Sequence, residues 1–381
     1  MSAARRRALA IALFAFVLLA LIPRASLADD APKGPKLGEA QCAIVEDSSG
    51  NVLYEKNADT RMPMASITKV MTAMVALDSG VDLDAPCRIH ATNLGADSQT
   101  AGFAEGDTPT LRELLRVMLV YSGNDAAENV AINVAGSEGA FVGLMNEKAQ
   151  ELGMENTHFA NPHGLDEDGH YSTVADLALM GRVALSRYPF IAGTVHARSV
   201  TVGVAGTQRT FHSTDALLGA YRGIRGIKTG YVEGSAAFLG ACQRDGVELF
   251  TCVLGAQTSS GRFTDTVALL DWAYANFERV PVARSSWVTD LRPYAYNFAM
   301  TCVVAPTDDE RAVMWPKGGN LSFSTTLLQR HLLVDNGQLV GSTTWTQDGR
   351  QAGSVRYVAR LTPDSIPRVN VFTLPLYGYA A

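Results

Sequence analysis

The 381-residue chain has no excess of basic residues: 32 lysines and arginines stand against 38 aspartates and glutamates, a formal net charge of -6. A nucleic-acid-binding protein usually carries a basic surface, so this balance argues against a nucleic-acid partner. The chain also lacks a CxxC pair among its five cysteines and an HExxH motif among its seven histidines. The common zinc signatures are therefore missing, and we expect neither a metal nor another cofactor.

An apolar run near the N-terminus indicates export. Arg5-Arg6-Arg7 precedes apolar residues 8–22, and Ser26-Leu27-Ala28 offers small residues before a cleavage at Asp29. The run is shorter than the ~20 residues that span a bilayer comfortably, so we predict a secretory signal peptide over 1–28, with an uncleaved anchor as the alternative. Either form makes the protein extracytoplasmic, at the cell wall or the outer face of the membrane, with membrane contact only through an uncleaved signal segment.

Cysteine pairing is left open by the sequence. Disulfides form readily outside the cytoplasm, but five is an odd number, so at least one cysteine lacks an intrachain partner. Cys42 and Cys252 could pair if the strands that carry them are neighbours in a sheet.

Length and pattern divide the chain into two domains after the leader. At 381 residues two domains are expected, and 47% hydrophobic residues can fill sizeable cores. We predict an extended leader over 29–40, an α+β domain over 41–280 and a small all-β domain over 281–381. The last segment carries hairpin turns at Asn336-Gly337 and Asp348-Gly349 and no helix of length. Pro375 and Gly378 oppose a C-terminal amphipathic membrane helix.

A serine and a lysine lie three residues apart at Ser66 and Lys69. Pro63 is typical of a helix entry, and an apolar stripe continues to about Gly80, which predicts a helix with Ser66 in its first turn. Residues three apart on a helix share a face, so the lysine amine can take the proton of the serine hydroxyl.

Two further motifs follow at predicted turns. Thr110 opens a capping box for an amphipathic helix that ends where Ser122-Gly123-Asn124 begins. Lys228-Thr229-Gly230 precedes a strand over 235–243, which Asp245-Gly246 turns into a strand over 247–255.

The three motifs, in this order, resemble the serine-type D-alanyl-D-alanine carboxypeptidases, which are low-molecular-mass penicillin-binding proteins of peptidase family S11. The resemblance covers about Cys42 to Phe277. It extends to flanking segments at Val52–Asp59, Ser122–Ala127, Phe159–Asp166, Gly226–Tyr231 and Leu254–Ala256, and to Arg262.

The resemblance implies a β-lactamase/transpeptidase-like α+β domain, with an antiparallel sheet flanked by helices, followed by a small β domain. It implies removal of the terminal D-alanine from peptidoglycan stem peptides through an acyl-enzyme, with β-lactam antibiotics as covalent inhibitors. In the expected roles, Ser66 is the nucleophile and Lys69 its base, provided that Lys69 is neutral. Lys228 lowers the pKa of Lys69 and attracts the substrate carboxylate, because a nearby cation disfavours a second charge.

Other residues complete the expected site. Ser122 passes a proton to the leaving amine, Asn124 holds the substrate amide, and Thr229 binds the carboxylate next to Gly230. By similarity, the backbone N–H groups of Ser66 and Tyr231 form the oxyanion hole.

Two alternatives and one departure accompany this interpretation. A serine β-lactamase would need a loop glutamate, and Asn161–His170 has no Glu-x-x-Leu-Asn pattern, so we interpret that loop as a border of the cleft. A catalytically inactive penicillin-sensing or wall-binding protein is the second alternative, and the presence of all three motifs argues against it. Where relatives carry an arginine or Asn-Thr-Asn, this chain has Ser213-Thr214-Asp215, which leaves further carboxylate contacts open.

Overall fold

The computed structural model describes residues 32–92, 94–284, 290–295, 297–307, 310–317, 322–327, 333–347 and 350–361. The predicted signal peptide, the turn at Asp348-Gly349 and the C-terminal Pro375 and Gly378 lie outside these residues. Residues 34–381 group into one unit. No helix within the described ranges is long and apolar enough to cross a membrane.

A five-stranded antiparallel sheet organises the first part of the chain. The first seven strands are β1 (Cys42–Asp47), β2 (Val52–Lys56), β3 (Ser199–Val204), β4 (Thr207–His212), β5 (Ile224–Val232), β6 (Ser235–Arg244) and β7 (Val247–Ala256). The sheet order is β2-β1-β7-β6-β5, and β3 pairs with β4 separately. The sheet therefore joins strands from both ends of this region, and β5, which carries the Lys228 motif, forms its outer edge.

Helices cover both faces of the sheet. They are α1 (Thr68–Asp78), α2 (Leu111–Val120), α3 (Asn124–Ala135), α4 (Glu138–Leu152), α5 (Val174–Arg187), α6 (Pro189–Val195) and α7 (Gly261–Asn276). Alternate residues of β7 face opposite sides, as in any strand: Phe250 and Cys252 join the larger core with α1 to α6, whereas Leu249 and Val253 join the core under α7. The fold is thus the predicted antiparallel sheet flanked by helices.

Local capping chemistry places the start of α2 as predicted and also caps α5. The Thr110 side chain accepts a hydrogen bond from Glu113 N at 3.2 Å, and the Glu113 carboxylate accepts one from Thr110 N at 2.8 Å. Thr173 caps α5 in the same way through Asp176 N. These contacts satisfy backbone donors that a helix N-terminus leaves open.

One predicted helix start was wrong. The helix near the first motif begins at Thr68 rather than close to Pro63, and Ser66 lies in a short 3₁₀ helix, Ala65–Ile67, just before it. Ala65 has φ +49°, a left-handed conformation that interrupts a continuous α-helix. The last helix of the region begins at Gly261, where Thr258 Oγ1 accepts a hydrogen bond from the Gly261 N–H at 2.9 Å.

The described residues beyond Asn276 form strands with a core of their own. The strands are β8 (Phe277–Arg284), β9 (Asp290–Tyr294), β10 (Asn297–Pro306), β11 (Glu310–Pro316), β12 (Ser322–Leu327), β13 (Leu339–Gln347) and β14 (Arg350–Leu361). Five of them form a sheet in the order β12-β13-β14-β10-β9, and β8 pairs with β11. Asp47 and Asn51 both bond the backbone of Met314, which ties β11 to the β1–β2 turn. The domain boundary at 280/281 stays a prediction.

All five cysteines are buried free thiols. β1 and β7 are neighbours as the pairing hypothesis required, but Ile44 lies opposite Cys252 and Leu254 opposite Cys42. The suggested Cys42–Cys252 pair was therefore wrong, because the two residues are out of register. Burial raises the pKa of the Cys252 thiol well above its ordinary value.

Candidate active site

Close backbone contacts hold the first motif at the edge of the sheet. Gly164 has φ +92°, and a Cβ there would lie 2.0 Å from Ala65 O and 2.9 Å from Ser66 N. Gly230 on β5 also lies against this segment, since a Cβ there would be 2.9 Å from Met64 O. Two separate parts of the chain therefore fix the peptide that carries the Ser66 hydroxyl.

Lys69 is completely buried and contacts the Ser66 hydroxyl directly. Its Nζ donates to Ser66 Oγ at 2.8 Å, to Asn124 Oδ1 at 2.6 Å and to the carbonyl oxygen of His163 at 2.5 Å. Three acceptors match the three donors of the charged amine, whereas the neutral amine has two donors and one lone pair, which can face the Ser66 hydroxyl. The amine is thus held in one orientation, with one of its bonds aimed at the serine oxygen.

The surroundings of Lys69 favour its neutral form. Burial lowers the pKa of Lys69 well below 10.5, and the positive charge of Lys228 lowers it further, against a smaller opposing effect of Asp125. The charged form of a buried amine loses its hydration, and a second cation repels it. A neutral amine beside a serine hydroxyl can accept its proton.

Lys228 is a second buried amine, on the edge strand β5. Its side chain is 1% exposed and its Nζ donates to Thr229 O at 3.1 Å. Burial and the neighbouring Arg262 lower the pKa of Lys228 to about 7, while the Asp215 carboxylate acts in the opposite direction. An anionic ligand beside this amine would favour its charged form.

The second motif forms the corner between α2 and α3. Ser122 lies there in a left-handed conformation, with φ +72°, and Asn124 begins α3. The Asn124 side chain joins two parts of the site, because its oxygen accepts from Lys69 while its Nδ2 donates to Ser98 Oγ at 2.6 Å. The next residue, Asp125, fixes the segment that follows Ser98, because its carboxylate accepts from the backbone N–H groups of Ala101, Gly102 and Phe103.

Ser213-Thr214-Asp215, the segment that departs from the family pattern, contacts the third motif, Lys228-Thr229-Gly230. Thr229 Oγ1 lies 2.5 Å from Thr214 Oγ1, so Thr214 orients the hydroxyl expected to meet the substrate carboxylate. Tyr231, two residues further along β5, has a side chain 57% exposed. The role of its backbone N–H in an oxyanion hole stays a prediction.

Sequence reasoning missed two contributors to the site and left a third, Arg262, without a role. The loop interpreted as a border of the cleft supplies the His163 carbonyl to Lys69, and a backbone acceptor leaves no signature in the sequence. Ser98, in an irregular segment, orients Asn124. Arg262 donates to the carbonyl oxygen of Gly230 at 2.6 Å, and its place in the family resemblance was the one signal that could have indicated it.

The rings of the two loop histidines are buried and uncharged. Burial lowers the pKa of His163 to about 3 and that of His170 to about 4. His170 Nδ1 accepts from Ala160 N at 3.0 Å, so Nε2 carries the proton and donates to Thr68 Oγ1 at 2.8 Å. The described residues contain no group of three or more His, Cys, Asp or Glu side chains that could hold a metal ion.

A lysine amine bonded to a serine hydroxyl, beside an antiparallel sheet flanked by helices, defines a serine hydrolase of the β-lactamase/transpeptidase type. The family model for D-alanyl-D-alanine carboxypeptidases, peptidase S11, matches residues 29–258. The chain is 34% identical over 287 residues to D-alanyl-D-alanine carboxypeptidase DacF of Bacillus subtilis, covering 73% of each protein. It is 30% identical to DacC of Escherichia coli, over 88% of this chain and 86% of that protein. The chain belongs to the peptidase S11 family and is a serine-type D-alanyl-D-alanine carboxypeptidase.

Solved structures agree with this assignment. Penicillin-binding protein 5 from Haemophilus influenzae superposes with a TM-score of 0.75 at 25% identity, over 87% of this chain and 98% of that one. Penicillin-binding protein D2 from Listeria monocytogenes, solved in an ampicillin-bound form, superposes with a TM-score of 0.57 at 33% identity, over 63% of this chain and all of that one.

Proposed function

We propose that Ser66 is the nucleophile that forms the acyl-enzyme and that Lys69 is its general base. The observation that carries this proposal is the fully buried Lys69 amine, 2.8 Å from Ser66 Oγ. Once neutral, the amine accepts the hydroxyl proton while Oγ attacks the carbonyl carbon between two D-alanines. The negative charge that develops on the carbonyl oxygen is bound by the backbone N–H groups of Ser66 and Tyr231, an arrangement worth a few kcal/mol.

The carboxylate of the substrate binds at the third motif. Lys228 supplies positive charge there, and Thr229, oriented by Thr214, donates a hydrogen bond. A carboxylate within reach of an amine stabilises the charged amine, so substrate binding and protonation of Lys228 favour each other. Gly230 contributes backbone space where β5 approaches the serine segment.

The second motif handles the leaving group. Ser122 relays the proton that Lys69 took from Ser66 to the departing D-alanine amine, which returns Lys69 to its neutral form. Asn124, held between Lys69 and Ser98, positions the substrate amide. Water then hydrolyses the ester on Ser66, again with Lys69 as base. A β-lactam acylates Ser66 by the same route and is released slowly.

The substrate class is the pentapeptide stem of peptidoglycan, which places the protein outside the cytoplasm. An extracytoplasmic site follows from a substrate that is itself in the wall, and the apolar N-terminal run provides the export signal. Attachment to a membrane would use that run if it remains uncleaved.

Substitution Ser66→Ala tests the proposal. The variant should release no D-alanine from a D-Ala-D-Ala tripeptide and should not be labelled by a fluorescent penicillin. Ser186→Ala, at an exposed position near the end of α5, is the matched control and should behave as the wild type. Labelling of Ser66→Ala would place the nucleophile elsewhere, and rapid turnover of nitrocefin by the wild type would favour a β-lactamase.

A further inference from the structure

A cavity of about 540 Å³ lies at the start of β5, and it shares no residue with the catalytic motifs. Its volume is within the range of about 300–1,000 Å³ that is usual for ligand sites. The lining contains three arginines, a histidine and no carboxylate. The polar side chains are those of His196, Arg198, Tyr221, Arg222, Arg225 and Gln243. We call this space the arginine cavity.

The walls of the arginine cavity are fixed by backbone contacts. Gly223 O accepts from Gln243 N at 2.8 Å, which ties the loop before β5 to the end of β6. Arg222 O accepts from Arg244 Nε at 3.0 Å, a further bond to the same strand. The cavity therefore exists without a ligand, and binding there needs little ordering of the chain.

Arg198 is seated in the cavity by a glycine. A Cβ on Gly219 would lie 1.6 Å from Arg198 Nη2 and 2.3 Å from its Cζ. The guanidinium therefore packs against the backbone of Gly219, where any larger residue would collide with it. Within the described part of the chain, no carboxylate forms an ion pair with Arg198. Arg198 is exposed, so its guanidinium donors face solvent, where a planar oxyanion can reach them.

The other two arginines differ in how firmly they are held. Arg225 Nη1 bonds Glu248 at 2.9 Å and Gln243 at 3.2 Å, which fixes the side chain at the wall. Arg222 meets Asp245 at 3.2 Å, but the two side chains are 75% and 82% exposed, and an exposed pair of this kind is worth little. Two acids thus offset two arginines, and the charge of Arg198 remains uncompensated.

We propose that the arginine cavity binds an oxyanion of the cell-wall polymer, a carboxylate or a phosphate ester, at a second site apart from the catalytic one. The proposal rests on the proposed function only in taking the wall as the ligand. Arg225 and Lys228 are three residues apart on β5, on the order of 10 Å along a strand. A polymer long enough to reach both the cavity and the catalytic cleft would raise the local concentration of stem peptides at the cleft.

Cosedimentation with insoluble peptidoglycan sacculi tests this proposal. We expect Arg198→Gln to bind sacculi roughly tenfold more weakly than the wild type, the scale of one charge-assisted hydrogen bond. Its kcat/KM on a soluble D-Ala-D-Ala tripeptide should not change. Arg187→Gln, at an exposed arginine at the end of α5, is the matched control and should bind as the wild type. Arg222→Gln, at a mostly exposed side chain that the fold does not need, should also weaken binding.

Chemical treatment of the sacculi identifies the anion. If the ligand is a phosphate ester, removal of phosphodiester-linked polymer with hydrofluoric acid should abolish the difference between wild type and Arg198→Gln. If the ligand is a carboxylate, amidation of the stem carboxylates should abolish it instead. Equal binding by the wild type, Arg198→Gln and Arg222→Gln, or a difference that survives both treatments, overturns the proposal. Ser66→Ala should bind sacculi normally, so an error in the nucleophile assignment would not be mistaken for an error here.

Discussion

The amine nitrogen of Lys69 lies 2.8 Å from the hydroxyl oxygen of Ser66, although the two residues belong to different helices. Ser66 is in the 3₁₀ helix Ala65–Ile67, and Lys69 is the second residue of α1. The turn between them brings the hydroxyl over the amine. Burial lowers the pKa of Lys69 and so favours the neutral amine, which can accept a proton.

Lys69→Arg tests the basic role of Lys69. An arginine offers N–H donors at this position but cannot give up its proton in a protein, so it cannot accept the proton of Ser66. We expect acylation by a fluorescent penicillin to slow by about 10²–10⁴-fold, the usual contribution of general acid–base catalysis. The second-order labelling rate measures this effect, and thermal melting followed by circular dichroism confirms folding. Labelling within tenfold of the wild-type rate would show that Lys69 is not the base.

Gly164→Ala should damage the site through the backbone alone. The new Cβ would lie 2.0 Å from Ala65 O, so the Ala65–Ser66 peptide must move. Gly169→Ala is the matched control, because Gly169 also has a positive φ, +83°, but a Cβ there would meet nothing closer than 3.6 Å. Both variants should lose about 1–2 kcal/mol of unfolding free energy from the left-handed backbone. A large loss of penicillin labelling is expected for Gly164→Ala only. Equal labelling of the two variants would show that the contact of Gly164 with the Ala65–Ser66 peptide does not position Ser66.

Asp215→Asn should change the pH dependence of substrate binding. The Asp215 carboxylate is 7% exposed, and its charge raises the pKa of Lys228, which burial and Arg262 bring down to about 7. Removing that charge lowers the pKa of Lys228 further, so the amine loses its proton at a lower pH. Because the charged amine binds the substrate carboxylate, the alkaline fall of kcat/KM should move to lower pH in the variant.

The measurement is the pH profile of D-alanine release from a D-Ala-D-Ala tripeptide. Burial raises the pKa of Asp215 itself to about 6, so the carboxylate is charged above that pH and the variant should differ most there. KM should rise several-fold near pH 8 while kcat changes little. An unchanged profile, or a shift towards higher pH, would show that Asp215 does not support the charge of Lys228.

Part of the site geometry followed from local sequence chemistry, whereas the family resemblance indicated most of the site residues. The capping box at Thr110 set the start of α2, and the turn after α2 then placed Asn124 beside Lys69. Ser66 and Lys69 met as their spacing predicted, even though the helix begins later than expected. Side chains three residues apart come together in a 3₁₀ helix as well as in an α-helix. The predicted contact therefore forms even though the predicted helix start was wrong.

The features that could not be predicted from the sequence depend on contacts between distant segments of the chain. The left-handed Ala65 is held by Gly164, nearly a hundred residues away, and no local pattern records that contact. The His163 carbonyl that orients Lys69 belongs to the backbone, so its residue type carries no signal. The Cys42–Cys252 hypothesis failed on register, because adjacent strands do not by themselves place two side chains opposite each other.

The burial of all five thiols has a practical consequence for spectroscopy. Thiol-specific reagents act on accessible thiolates, and these sulfurs are neither accessible nor readily ionised. A cysteine introduced on the surface, for example in place of the exposed Arg187, would react much faster than the native ones. A spin label or fluorophore could then be attached to the otherwise unaltered enzyme, and its distance from a penicillin on the active serine could be measured without replacing a native cysteine.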